Sequence, residues 1–460
     1  MKRSRGSVCA MAFLMAAIGS FYYEPAIGRA QVDENGSATA HRSGGKPQVS
    51  NKERLPKALL YRTGFPGAEP TLGIGKDGVV FTNSWEPSTQ VDVLRSSDGG
   101  RTWERVSPRL PGGEDSHRLS FDPYIYLDED GGRLFTVDLL IACSYLSFSD
   151  DLGDTWTTNP LACGQPFNDH QTLFSGPPVT SSTVGYSEIV YYCFADYMGG
   201  GSFCSKSLDG GISFLPAGER AFPSEVEGRN CGGLHGHGVA DDRGTIYLPA
   251  EHCGRPFLAI SKDEGATWRR VQVSRLRHEE GPDPAVAVDK RGNLYYVWIG
   301  RDRLPYLTIS RDGGDKWSNP VMIAAPGIKE AAHVTVAVGD LGKLAFGYMG
   351  SENSRFARCA GRKRCRPSYA GIKWNGYIGV TANALSPDPL FFSAAVNANN
   401  DPLVDGRCGP RRCDWLLDYM DVAIGPDGTP WATFVDTVGG EGPDYHEAVL
   451  GRLVGGPPLL

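Results

Sequence analysis

Ser96-Ser97-Asp98-Gly99-Gly100-Arg101-Thr102-Trp103 is the first of five versions of one octapeptide. The others run from Ser149 to Trp156 around Asp151, Ser207 to Phe214 around Asp209, Ser261 to Trp268 around Asp263, and Ser310 to Trp317 around Asp312. The pattern is Ser-x-Asp-x-Gly-x-Thr-Trp, with lapses at Ser213, Phe214 and Lys316. Its chemistry is that of a tight turn. The aspartate can accept hydrogen bonds from turn amides, the glycine supplies a positive φ, and the aromatic ring packs beneath. The five aspartates lie 53, 58, 54 and 49 residues apart. Repeats of that length belong to solenoids or propellers.

A second repeat precedes the first. A polar anchor opens an apolar strand, and nine residues after the anchor comes a turn glycine. The anchors Glu69, Asp122, His235, Asp283, His333 and Tyr419 lead to Gly78, Gly131, Gly244, Gly292, Gly342 and Gly428. A looser copy begins at Asp169-His170. In the four clear pairs the turn aspartate follows its anchor by 28 or 29 residues. Each unit thus predicts four short strands, and seven anchors predict an all-β propeller of seven four-stranded antiparallel blades over residues 57–455, six being the alternative. The last unit runs out of chain after its third strand. Lys57–Tyr61 is expected to supply the fourth and close the ring, which removes an open sheet edge. Residues 31–56, polar with Gly and Ser, read as a flexible linker.

Residues 1–30 read as a secretory signal: basic Lys2, Arg3 and Arg5, an apolar stretch from Val8 to Tyr23, then the small residues Gly28 and Ala30. A membrane anchor is the competing reading, but the apolar stretch is short and broken by Gly19 and Ser20. The whole chain carries 46 Lys+Arg against 53 Asp+Glu, a net charge of −7. That balance excludes the basic excess of a nucleic-acid binder, and leaves no polybasic surface for a membrane once the signal is cleaved. The protein is expected outside the cytoplasm, secreted or periplasmic, as a monomer. Ten cysteines lie beyond the leader: Cys143, Cys163, Cys193, Cys204, Cys231, Cys253, Cys359, Cys365, Cys408 and Cys413. An even count in an exported chain predicts disulfides between sequence neighbours. Cys231 and Cys253 bracket one hairpin, and Cys193 and Cys204 fall on strands that should adjoin. The last four could close small loops or cross-pair.

The five turns resemble the Asp boxes, or bacterial neuraminidase repeats, of the sialidase-like β-propeller superfamily. The resemblance implies structural roles for Asp98, Asp151, Asp209, Asp263 and Asp312 at the blade periphery. It places catalysis at one mouth of the central channel. Sialidases carry Arg-Ile-Pro at the first inner strand, and here the aligned stretch is Ala68-Glu69-Pro70, without the arginine. Arg54-Leu55-Pro56 looks like the motif but lacks the strand that should follow it. Asp418-Tyr419-Met420-Asp421-Val422 and Phe434-Val435-Asp436 resemble the nucleophile blade, which makes Tyr419 a candidate nucleophile and Asp436 its supporting acid. The resemblance puts an acid/base aspartate before the first box, where Glu86 and Asp92 are available. Arg229, Arg255, Arg301, Arg303 and Arg355 are loop candidates for binding a substrate carboxylate.

Superposed, the units bring Glu69, Asp122, Asp169 or His170, His235, Asp283, His333 and Tyr419 to one ring around the axis. His237, two residues after His235, should point the same way. Such a ring supports three uses: acid/base catalysis by groups with shifted pKa values, attack by a phenolate, or a cation held by oxygens and imidazoles. It also suits a plain wet channel lined by polar side chains. Three functions follow. The first is a sialidase-like glycoside hydrolase acting on a glycan or glycoconjugate with no required cofactor. The second is a polysaccharide lyase using His235, His237 and Tyr419. The third is a non-catalytic propeller that binds a glycan or a protein.

Overall fold

A computed structural model describes residues 28–29, 32–33, 36–42, 55–86, 89–108, 120–140, 143–163, 168–196, 200–216, 218–226, 229–231, 234–279, 281, 283–355, 371–406, 413, 416–440 and 444–460. Among them there is no α-helix; every regular element is a strand. Besides a two-stranded ribbon of Glu225–Val226 and Arg229–Asn230, seven antiparallel sheets follow one another along the chain, and each begins at or near one of the expected anchors. Blade one comprises Leu72–Ile74, Val80–Ser84, Asp92–Ser96 and Thr102–Arg105. Blade two comprises Pro123–Asp128, Arg133–Asp138, Ser144–Ser149 and Thr157–Leu161. Blade three has Asn168–Gly176, Ile189–Asp196 and Ser202–Ser207, with isolated bridges from Lys206 to Leu215 and from Ser202 to Phe222 in the fourth position. Blades four and five open at Val239–Ala240 and Ala285–Val288, and blade six opens at Glu330–Val338. Blade seven comprises Val422–Ile424, Pro430–Asp436 and Glu447–Val454.

Closure comes from the N-terminal side, as the sequence predicts. Lys57–Arg62 pairs antiparallel with Glu447–Val454, Leu60 opposite Gly451. One expectation gives way here. Ala38–Arg42, inside the stretch read as linker, is a strand paired with Leu390–Ala395 on the outer edge of blade six. Its alternating Ala38, Ala40 and Arg42 give little hydrophobic signal, and the pairing is settled by a sheet edge some 350 residues away. Gly28–Arg29 and Val32–Asp33 likewise extend blades one and seven. Residues 1–27 of the expected leader lie outside the described residues, and so do Arg54, Cys359, Cys365 and Cys408. No described helix is long and apolar enough to cross a membrane.

The turn aspartates do what their chemistry predicts. Asp98 Oδ1 accepts from the amides of Arg101 (3.0 Å) and Thr102 (2.9 Å), and Oδ2 accepts from Thr102 Oγ1 (2.7 Å). Ser96 Oγ donates to the same carboxylate and accepts from the Gly100 amide. Asp151, Asp209 and Asp263 repeat this arrangement. Asp312 keeps the amide bonds, but Lys316 supplies no hydroxyl. The second glycine of the box has a further role. A Cβ on Gly100, whose φ is +88°, would lie 3.1 Å from Tyr61 and Trp431 of blade seven. A Cβ on Gly314 would lie 2.6 Å from Ile260 of blade four. In these two copies the box is pressed against the preceding blade, so the glycine sets blade-to-blade spacing as well as turn shape.

Three disulfides form, Cys143–Cys163, Cys193–Cys204 and Cys231–Cys253. Cys193 and Cys204 sit directly opposite on adjacent strands. Cys413 is also in a disulfide, its partner lying outside the described residues.

Candidate active site at the propeller axis

The inner strands do not meet the axis as plain strands. Blade three has a register shift between Asp169 and Thr172, and blade six has one between Ala332 and Val334. Glu69, His170 and His333 adopt φ of +45°, +53° and +52°. A bulge re-aims a side chain that regular alternation would send elsewhere. Two residues further on, a second layer ties the blades together. Ile125 N donates to Thr71 Oγ1 (2.9 Å), Gly238 N to Thr172 Oγ1 (3.2 Å), and Leu72 N to Asp421 Oδ2 (3.1 Å).

Above that belt the expected ring assembles. His170 Nε2 is hydrogen-bonded to Asp283 Oδ2, joining blades three and five. The His170 amide donates to Asp122 Oδ2 of blade two (3.4 Å). The Asp418 amide donates to Glu69 Oε1 (3.2 Å), joining blades seven and one. The Tyr419 ring stands edge-on to His170 (5.6 Å) and to His237 (4.9 Å). His237 also meets Tyr124 edge-on (5.2 Å), and His235 lies 5.7 Å from His170. A cavity of about 20 Å³, room for roughly one water, is bounded by His237, Asp283, His333, Asp418 and Tyr419 among others. At this depth the axis is too narrow for a sugar ring.

Burial and mutual charge separate these groups electrically. Burial lowers His235 and His237 to about 3, helped by the charge on His170. It lowers His333 to about 4, with Arg303 adding to it and Asp418 opposing. These three imidazoles are therefore neutral at pH 7. Burial also acts to lower His170, but Asp283 outweighs it, with Asp418 and Asp122 adding, and the result is about 10. Asp283 is raised by burial and pulled back by His170, to about 6. Between those values the two form a charged pair. Burial, then the neighbouring Asp169, raises Asp122 to about 7. Asp122 and Asp169 are only partly buried, unlike most of the ring.

Tyr419 is 4% exposed and donates its hydroxyl to the Pro123 carbonyl (2.5 Å). Burial, together with Glu69 and Asp122, pushes its phenol well above the ordinary value. Ionising it there costs more than in water, and the proton has a committed acceptor. Asp436 is engaged elsewhere: Arg62 pairs with it at 2.6 Å, and the amides of Val438 and Gly439 donate to it. Of the candidates before the first box, Glu86 is exposed, and Asp92 is bound by Arg105 and Ser107. Arg303 and Arg355 converge on Glu330 (3.7 and 3.8 Å), and Arg355 also meets Glu279 (3.4 Å). Arg255 donates to the Arg275 carbonyl. Arg301 is exposed, and the Arg229 side chain lies outside the described residues.

Asp418 and Asp421, which flank the expected anchor Tyr419, also bond across to blade one, through Glu69 and Leu72. Asp421 is two residues past its anchor, the period that also marks His237, and that spacing was the usable signal. For the axial cation, the one set of three metal-ligating side chains with donor atoms within 4.8 Å of each other, among the described residues, is Cys231, His252 and Cys253. Its two sulfurs are spent on a disulfide. A larger hollow, about 460 Å³, opens at the far ends of the inner strands beside Asp128, Glu129, Asp130, Glu188, Asp241 and Asp242. None of the expected site residues lines it.

No protein-family model matches the chain. It is similar to the xyloglucanase Xgh74A of Acetivibrio thermocellus, 23% identical over 283 residues. It is also similar to a xyloglucanase of a Paenibacillus species, 25% identical over 231 residues. These matches take in 52% and 45% of this chain but only 30% and 20% of those proteins. Among solved structures, the xyloglucanase of Xanthomonas campestris aligns over 91% of this chain and 75% of its own, with a TM-score of 0.42 and 16% identity. A Hadza microbial sialidase aligns over 62% and 63%, also at a TM-score of 0.42 and 16% identity.

Proposed function

We propose that this protein is an exported glycoside hydrolase that cleaves a glycan lying across the axial mouth, with Asp122 as the proton donor and Asp169 as the partner carboxyl group. The observation that carries the reading is Asp122: partly open to solvent, yet raised to about 7 by burial and by Asp169. A carboxyl group that keeps its proton near neutrality beside a second carboxylate is what glycoside cleavage asks for. The proton passes from Asp122 to the glycosidic oxygen as that oxygen leaves the anomeric carbon. Asp169 either receives a proton from the attacking water or bonds to the anomeric carbon before water replaces it. The partial likeness to two xyloglucanases supports glycan hydrolysis as the class. The disulfides support a compartment outside the cytoplasm.

The electrostatics favour a neutral glycan. Asp283, Asp418 and Asp122 act on one imidazolium, Asp169 and Glu69 lie beside Asp122 and Asp418, and Arg303 and Arg355 already face Glu330 and Glu279. An anionic sugar would meet carboxylates before it met an unengaged guanidinium. The test is release of reducing ends from xyloglucan, beside a fluorogenic sialoside, by wild type, Asp122→Asn and Tyr419→Phe. Turnover of the neutral polymer is expected. It should fall at least about 100-fold in Asp122→Asn and survive largely in Tyr419→Phe. Sialoside turnover abolished by Tyr419→Phe would replace this reading with the sialidase one. Full activity in Asp122→Asn would remove Asp122 from the chemistry. Binding without turnover would leave a glycan-binding propeller.

A lyase is the second reading, favoured by one observation. His237 Nε2 is buried without a hydrogen-bond partner among the described residues, and its imidazole is neutral beside the Tyr419 ring. Unsaturated products from a uronate polymer would decide for it.

A further inference from the structure

We propose that Asp283 is a positioning residue that acts through His170: it holds the imidazole across the axis, with its charge beside Asp122, and so tunes that acid without touching substrate. The inference rests on the hydrolase reading for its activity readout alone; its spectroscopic readout does not.

The geometry is specific. His170 reaches the axis through the blade-three bulge with φ +53°. It spans two carboxylates on different blades: its Nε2 meets Asp283 Oδ2 of blade five, while its own amide meets Asp122 Oδ2 of blade two. His170 is 3% exposed and Asp283 8%, so solvent screens little of their interaction.

Asp283, Asp418 and Asp122 set the charge balance of His170. Blade two presents Asp122, blade three its own neighbour Asp169, blade five Asp283, and blade seven Asp418 and Tyr419. Blade four presents His235 and His237, both neutral. Tyr419 keeps its proton. Within this group His170 is thus the single positive charge, and it lowers the proton affinity of Asp122 against burial and Asp169.

Asp283 transfers no proton in this scheme. Removing its carboxylate takes away the largest support for the imidazolium, since burial alone drives a histidine neutral. A neutral His170 no longer pulls Asp122 down. Asp122 then keeps its proton to higher pH. A general acid works only while protonated, so the alkaline limb of the rate profile moves upward.

The experiment uses the full chain as Asp283→Asn, Asp283→Glu and His170→Gln. Histidine ring carbons and the Asp122 carboxyl carbon are followed by NMR against pH, with kcat/KM against pH wherever turnover is found. In wild type, His170 is expected to stay protonated through neutrality and titrate at about 10. In Asp283→Asn it should titrate several units lower. The Asp122 midpoint and the alkaline limb should rise by on the order of one pH unit. Asp283→Glu should restore both. If Asp283→Asn does not fold, His170→Gln removes the same charge and should raise the Asp122 midpoint by a similar amount. An Asp122 midpoint unmoved in whichever variant folds overturns the proposal. Absence of glycan turnover with a moved midpoint would overturn the hydrolase reading and leave the coupling standing.

Discussion

Arg62, on the N-terminal strand that completes blade seven, pairs with Asp436 at 2.6 Å and with Glu447 at 2.9 Å. Asp436 and Glu447 face each other across the two neighbouring strands of that blade, so one guanidinium clasps three strands. The acids hold Arg62 charged against its burial. Removing one partner of such a pair leaves a charge enclosed and uncompensated. Arg62→Ala is expected to cost about 3 kcal/mol, measured by urea unfolding. Arg62→Ala at wild-type stability would show that the pair does not hold the closure.

Asp421 tests the axial belt. Burial raises it to about 6, although the amides of Val422 and Leu72 donate to it. A carboxyl raised on folding contributes stability that is complete below its ordinary value of 3.8 and is lost as pH rises through about 6. Asp421→Asn cannot ionise. Its stability relative to wild type is therefore expected to improve from pH 4 to pH 8, by on the order of 2–3 kcal/mol. Parallel stability curves for the two proteins would refute this.

How much of this was legible beforehand differs by residue. The five box aspartates and the closing strand Lys57–Arg62 were readable because their determinants are local: a turn has a residue code, and an unpaired final blade demands a partner. The anchors were readable as positions, and Glu69, Asp122, His235, His237, Asp283, His333 and Tyr419 do meet. Their roles were not, because burial and neighbouring charge fix those. His170 and His237 are both histidines near one axis, yet the first is pushed to about 10 and the second to about 3. The choice between Asp169 and His170 was equally hidden, since it depends on a bulge that period-two alternation does not announce. Asp436 looked like a partner for Tyr419 by pattern, but the arginine that engages it lies 374 positions earlier.

Glu264 anchors a loop. Its Oε1 accepts from the amides of Val179, Thr180 and Ser181 (2.8, 2.7 and 2.9 Å), and its Oε2 meets Lys206 (2.6 Å). Burial opposes the charge, but Lys206, Ser181 and these amides lower the carboxyl well below its ordinary value of 4.5. The stability it contributes is present above that value and fades as pH falls below it. Glu264→Gln should cost about 2 kcal/mol at pH 7, with the gap to wild type narrowing as pH drops through 4. A gap that stays constant with pH would mean the charge is not what holds the loop.

The fifth octapeptide turn offers a gain rather than a loss. Lys316 stands where the first, second and fourth boxes have a threonine donating to the aspartate, and where the third has a serine. Lys316→Thr should supply the missing bond to Asp312 and raise Tm by about 1–2 °C. Asp263→Ala should lower Tm by several degrees while leaving kcat unchanged. A lower Tm in Lys316→Thr would mean that the lysine already compensates.

The strand Lys57–Arg62 joins the ring only through Glu447–Val454, its other edge being taken by Val32–Asp33. During synthesis it therefore emerges early and waits, with one edge uncovered, until the chain has been made as far as Glu447–Val454. Contacts this far apart in sequence form late and slowly. Closure of the ring should therefore wait until blade seven has been made, and a nascent protein stalled before blade seven would be a ring ajar, prone to pairing with a neighbour.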